Sequence, residues 1–200
     1  MMTRASVIQQ IEQYFDQNQF FSDLRRRVGI PTESQVPGRS VELHRYLQDE
    51  IATELAGMGF TYTIENNPVI GGGPVLIGHR EEDPASTTVL TYGHGDVVQG
   101  YDDQWRCDLS PWVLTQDGDR WFGRGSADNK GQHTINLAAL RYVLANRGRL
   151  GFNIKVLIET GEEVGSIGLR EFCEVNKDRL SAARIYTSCR QTVGPSGRTH

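Results

Sequence analysis

Thr87-Thr88-Val89-Leu90-Thr91-Tyr92-Gly93-His94-Gly95-Asp96 is the stretch on which the reading of this chain turns. Its first half is β-branched and apolar, which suits a buried strand. Where such a strand ends in an open α/β sheet, side chains face the crevice that ligands use, so His94 and Asp96 should emerge together at that rim. Neutral imidazole is a good metal ligand, and a carboxylate on its other ring nitrogen fixes the tautomer and raises the basicity of the ring. A lone His-Gly-Asp is more often an ordinary turn, so this reading needs other acidic groups to converge on it.

Two such groups lie downstream. Asp119 to Gly131, with Gly123, Gly125 and Gly131, brings Asp128 to the start of a helix predicted over about residues 132–145. The glycines suit a backbone that passes close to a bound group. Taken alone, Asp128 fits equally well as a carboxylate satisfying the free amides of a helix start. Phe152 to Ile158 reads as a second core strand, and it runs directly into Glu159-Thr160-Gly161-Glu162-Glu163-Val164-Gly165-Ser166. Adjacent carboxylates at the end of a buried strand repel unless a cation or a proton lies between them.

Upstream, Val7, Ile8, Ile11, Tyr14, Phe15, Phe20, Phe21 and Leu24 recur at helical spacing, which predicts an amphipathic helix over about residues 5–27, broken near Asn18. Pro31 closes it. A second helix is expected over about residues 39–58, with His44 on its surface, followed by strands over 60–65 and 75–78. Gly71-Gly72-Gly73-Pro74 reads as a flexible turn, because no helix start and no Lys-Ser/Thr pair follows as a phosphate cradle requires. Asp102 to Trp112 is too aromatic for a linker and too broken for a helix, so it is expected to wall the site. A helix over about 167–175 and a strand from Arg184 to Ser188 complete the pattern.

The 200 residues, 38% hydrophobic and 23% charged, suit one sizeable core rather than two domains. A net charge of -4 gives no basic field for phosphate backbones, so nucleic acid is disfavoured and not expected as a partner. Cys107, Cys173 and Cys189 are odd in number and widely spaced, which indicates neither a disulfide framework nor a zinc ribbon. They also lack the paired histidine that a cysteine nucleophile needs. With no signal-peptide core and no membrane-length apolar run, the expectation is a soluble, cytoplasmic protein without a membrane partner.

His94, Asp128 and the Glu162-Glu163 pair each end a strand or open a helix in a strand, loop, helix, strand order, and a parallel sheet can bring all three to one edge. One imidazole with several carboxylates suits zinc or cobalt-type ions, and a bridging carboxylate permits two of them about 3.5–4 Å apart. A further free carboxylate can then move a proton from the attacking water to the leaving nitrogen. Three motifs, Gly-His-Gly-Asp-Val-Val (93–98), Phe-Gly-Arg-Gly-Ser-Ala-Asp-Asn-Lys-Gly (122–131) and Glu-Thr-Gly-Glu-Glu-Val-Gly-Ser (159–166), occur in one order. In this the chain resembles the N-terminal part of the zinc aminopeptidase-like superfamily of carboxypeptidase G, acetylornithine deacetylase, succinyl-diaminopimelate desuccinylase, aminoacylase and carnosinase. The resemblance implies an α/β three-layer sandwich with a mixed, mostly parallel sheet. It implies that His94 binds one Zn2+, Asp96 orients His94, Asp128 bridges two metals, Glu162 is the general acid/base and Glu163 binds the other metal, with Co2+ or Mn2+ as alternative ions. The bond broken would be the amide of a small peptide or an N-acyl amino acid.

The resemblance covers residues 1–188, as the first part of a metallopeptidase catalytic domain. Members of the superfamily are considerably longer: an aspartate ligand follows the strand that matches Ile185 to Ser188, then a lid and dimerisation domain, then a returning half with a last histidine ligand. Cys189 stands where the aspartate is expected, and residues 189–200 carry almost no apolar content, so a disordered tail is expected there. The expectation is therefore a truncation or frame shift near Ser188 or Cys189, with activity weakened or lost and the oligomeric state open. Cys189 or His200 as substitute ligands is a remoter expectation. The missing half should leave a sheet edge and part of the core uncovered. The alternative function is a non-catalytic remnant acting as a binding or interaction module.

Overall fold

The computed structural model describes residues 4–187. The first amphipathic stretch forms α1 (Arg4–Asp16) and α2 (Gln19–Val28), and the break falls at Asn18, which adopts a left-handed conformation with φ 58°. Asparagine tolerates that conformation better than most residues. The second helical run is continuous but not uniform: α3 (Ser40–Arg45) passes into a π-helical segment (Tyr46–Ala52) and then α4 (Thr53–Gly57). Its apolar stripe, Leu47, Ile51 and Leu55, is wholly buried, and each such side chain stabilises the fold by about 1.5–3 kcal/mol.

The sheet is built from β1 (Thr61–Glu65), β2 (Val75–Arg80), β3 (Thr88–His94), β6 (Asn153–Glu159) and β7 (Arg184–Thr187) in the order β1-β2-β6-β3-β7, while β4 (Thr115–Asp117) and β5 (Arg120–Phe122) form a separate hairpin. β1 pairs antiparallel with β2, and β2 with β6, whereas β3 pairs parallel with both β6 and β7. The parallel part carries the site. It is the part whose connections run through helices: α5 (Lys130–Arg147) lies between β3 and β6, and α6 (Leu169–Val175) with α7 (Lys177–Leu180) lies between β6 and β7.

Side-chain alternation along the strands gives the sheet two apolar faces. Ile154, Val156 and Ile158 of β6 point to one face, under Leu137 of α5 and the Tyr46–Leu55 stripe. Leu157 of β6, with Val75, Ile77 and Leu90, points to the other, under Phe172 and Leu180. The result is helices, sheet, helices, the three-layer arrangement expected. Among the described residues, no helix is long and apolar enough to cross a membrane. The tail over 189–200, including Cys189 and His200, lies outside the described residues.

Candidate metal centre

His94 is the last residue of β3, in parallel register with Glu159 at the end of β6. Two straps hold the chain just past it. The Gly95 N–H donates to the Glu159 carbonyl at 2.8 Å, and the loop after α2 holds the other side, with Thr32 Oγ1 donating to the Gly95 carbonyl at 2.7 Å and Val97 N–H to the Thr32 carbonyl at 2.9 Å. The imidazole is 1% exposed, so its position is set by protein rather than solvent. Nδ1 lies 3.3 Å from Asp96 Oδ1 and 3.2 Å from the Asp96 carbonyl, and Nε2 lies 3.2 Å from Asp128 Oδ1. Asp96 is buried, and its two carboxylate oxygens also accept the backbone N–H groups of Glu162 at 3.2 Å and Glu163 at 3.1 Å. One side chain thus touches the imidazole and clamps the turn that carries the glutamate pair.

Donor atoms of His94, Asp128 and Glu163 lie within 4.8 Å of one another. Asp128 does not cap α5: the N-cap is Asn129, which makes no side-chain cap bond, and the Asp128 side chain is 71% exposed beside His94 Nε2. Glu162 is the neighbouring half-buried carboxylate, with Oε2 3.8 Å from His94 Nε2. All five residues singled out from the sequence are therefore brought to one place. Burial alone disfavours a charged His94, but Asp96, Glu162 and Asp128 outweigh it and push the imidazole up to about 9. Burial, followed by the opposing pull of His94 and the repulsion of Asp96, Glu162 and Asp128, leaves the Glu163 carboxyl above its usual value. One nitrogen and two carboxylates converging at such separations are a donor set that suits zinc and related divalent ions.

Several surrounding groups were not visible as site elements in the sequence. Lys130 is fully buried and donates to the Arg27 carbonyl at 2.9 Å and the Ile30 carbonyl at 2.7 Å, with Nζ 4.9 Å over the Tyr46 ring; burial pushes it down to about 7. Glu159 is buried and accepts hydrogen bonds from Tyr92 Oη at 2.5 Å and Ser166 Oγ at 2.8 Å, tying the glutamate turn back to the strands. The motif glycines approach the chain itself. A Cβ on Gly131 would sit 2.1 Å from the Ser126 carbonyl oxygen, and one on Gly95 would sit 2.7 Å from the Tyr46 ring. The aromatic residues of this region pack against the chain itself. Trp105 donates to the Gly100 carbonyl at 2.7 Å, whereas Trp121 of the hairpin stacks on Phe15 and Phe20 of the first two helices. Cys107 is exposed and Cys173 packs against the second core, and no hydrogen bond joins either to a histidine among the described residues.

The chain belongs to peptidase family M20/M25/M40, whose model matches residues 90–197. Hydrolysis in this family is metal-dependent, and the three convergent donors are a possible metal site. The chain is 32% identical over 193 residues to human Beta-Ala-His dipeptidase, covering 90% of this chain and 38% of that protein. It is 28% identical over 173 residues to the Cysteinylglycine-S-conjugate dipeptidase of Corynebacterium striatum, covering 86% of this chain and 37% of that one. Its fold matches the crystal structure of human carnosine dipeptidase 1 with a TM-score of 0.80 and 30% identity, over 90% of this chain and 40% of that chain. The chain thus spans about two fifths of the length of these relatives.

Proposed function

We propose that His94, Asp128 and Glu163 hold a divalent cation, zinc with Co2+ or Mn2+ as substitutes, and that the site hydrolyses the amide bond of a small peptide or an N-acyl amino acid. Asp128, exposed beside His94 Nε2, would be the carboxylate shared with a second cation. A cation held there polarises a carbonyl oxygen and acidifies water. Glu162 faces the same space without lying inside the donor triad, which suits a base that takes a proton from the attacking water and returns it to the leaving nitrogen. Asp96 keeps the imidazole turned toward Asp128 and holds the glutamate turn by two backbone N–H groups. The observation that carries the reading is the convergence of three donors, separated along the chain by more than thirty residues each, within 4.8 Å.

The test is metal analysis of the purified chain together with hydrolysis of a panel containing β-Ala-His, cysteinylglycine conjugates and N-acetyl amino acids. The expected result is bound metal and turnover that falls by about 10²–10⁴-fold in Glu162→Ala while metal is retained. A chain that binds no divalent ion after metal loading overturns the reading. Metal binding with no turnover on any substrate favours the second reading, a non-catalytic binding module.

A further inference from the structure

Behind the three donors runs a line of buried polar side chains that the proposed chemistry does not use. Asn129 is wholly buried, and its Oδ1 accepts from the His94 backbone N–H at 3.3 Å and from His133 Nδ1 at 3.2 Å, while its Nδ2 donates to Gln132 Oε1 at 2.7 Å. With Nδ1 donating, His133 presents Nε2 as the acceptor for the Tyr46 hydroxyl, and both rings are buried. Tyr46 opens the π-helical segment, and its ring lies where a Cβ on Gly95 would go. The same side chain thus packs against Gly95 with its ring and meets His133 with its hydroxyl. A buried amide that abandons the helix cap to bond two N–H groups is costly to leave unsatisfied.

We infer that Asn129 is a positioning residue for the metal site, fixing the separation of His94 and Asp128, and that His133 and Tyr46 hold Asn129 in that orientation. Asn129 is covalently joined to Asp128 and hydrogen-bonded to the backbone of His94, so it couples the two donors that face each other at 3.2 Å. No other side chain joins those two donors in this way among the hydrogen bonds described. The inference rests on the metal reading above.

The test compares Asn129→Leu, Asn129→Asp, His133→Gln and Tyr46→Phe. Three quantities are measured: the dissociation constant for Co2+ by competition with a chromophoric chelator, the melting temperature of the metal-free chain, and the hydrogen-exchange rate of the His94 amide. Asn129→Leu should weaken Co2+ by about 10–100-fold, and Asn129→Asp, which keeps the acceptor oxygen, should recover most of that loss. Tyr46→Phe, the mildest change, should weaken Co2+ several-fold with little effect on melting. The inference is overturned if variants that remain folded melt lower yet bind Co2+ within twofold of the unsubstituted chain. Should the unsubstituted chain bind no Co2+, the metal reading fails, and the positioning inference is then decided by the amide: faster exchange at His94 in Asn129→Leu supports it, and an unchanged rate overturns it.

Discussion

Asp96 concentrates more of the site's geometry than any other residue, because its carboxylate meets the His94 imidazole and both backbone N–H groups of the glutamate turn. Asp96→Asn keeps the shape but exchanges one acceptor oxygen for an N–H that must face another N–H. Metal affinity measured by calorimetry should fall by about 10–100-fold, with a smaller loss of stability; an unchanged affinity would show that the clamp is unnecessary. At this scale the sequence is informative in one direction only. His94, Asp96, Asp128, Glu162 and Glu163 stand out because each ends a strand or opens a helix, where side chains are released from packing. Tyr46 gives no such signal, since it lies in the apolar stripe of a helix and meets His133 across 87 positions of sequence. His133 does carry one, standing four residues after Asn129 on one helix face.

At the scale of elements, α5 is positioned at its start and its middle by contacts that admit little variation. Its start is pressed against Ser126, so Gly131→Ala should destabilise the fold by about 1–3 kcal/mol in urea denaturation. Its middle is tied to α1 and α2 through Asp23, which accepts hydrogen bonds from Tyr14 at 2.6 Å, Arg26 at 2.8 Å and Arg141 at 3.1 Å. Burial works to raise the Asp23 carboxyl, but Tyr14, Arg26 and Arg141 outweigh it and hold it below its usual value. A carboxyl depressed in the folded state contributes stability above its unfolded pKa of about 3.9 and loses it as the pH falls through the folded value. The stability gap between the unsubstituted chain and Asp23→Asn should therefore be about 1.5–3 kcal/mol at pH 7, the range for hydrogen bonds to a charged group. It should narrow as the pH falls below the ordinary carboxylate range, and a gap independent of pH would contradict the assignment. Helix and strand positions were largely legible from periodicity, including the break at Asn18. The β4–β5 hairpin was not, because its strands have three residues each, too few for alternation to register. The π-helical turn at Tyr46 was hidden for another reason: it conserves the apolar stripe that announces an α-helix.

At the scale of the molecule, β7 is the outermost strand of the parallel half among the described residues, and its residues are all exposed, with Ile185 at 70% and Tyr186 at 55%. Beside it, an apolar groove of about 290 Å³ runs between β3 and α5, lined among others by Val89, Val156, Leu137, Leu140 and Tyr186. Open edges and apolar surface favour association. The 200-residue chain should therefore self-associate with rising concentration in sedimentation, and Ile185→Lys should reduce it without changing metal affinity; a monomer at every concentration would contradict this. The fold was legible because it follows from the order of strands and helices, whereas the groove depends on which face each side chain takes. The central claim is that His94, Asp128 and Glu163 surround one cation, and X-ray absorption of the zinc-loaded chain addresses it most directly. The account predicts a shell of nitrogen and oxygen at about 2.0–2.2 Å with the outer scattering of an imidazole, lost in His94→Ala. A spectrum unaltered by that substitution, or one dominated by sulfur at about 2.3 Å, would contradict it.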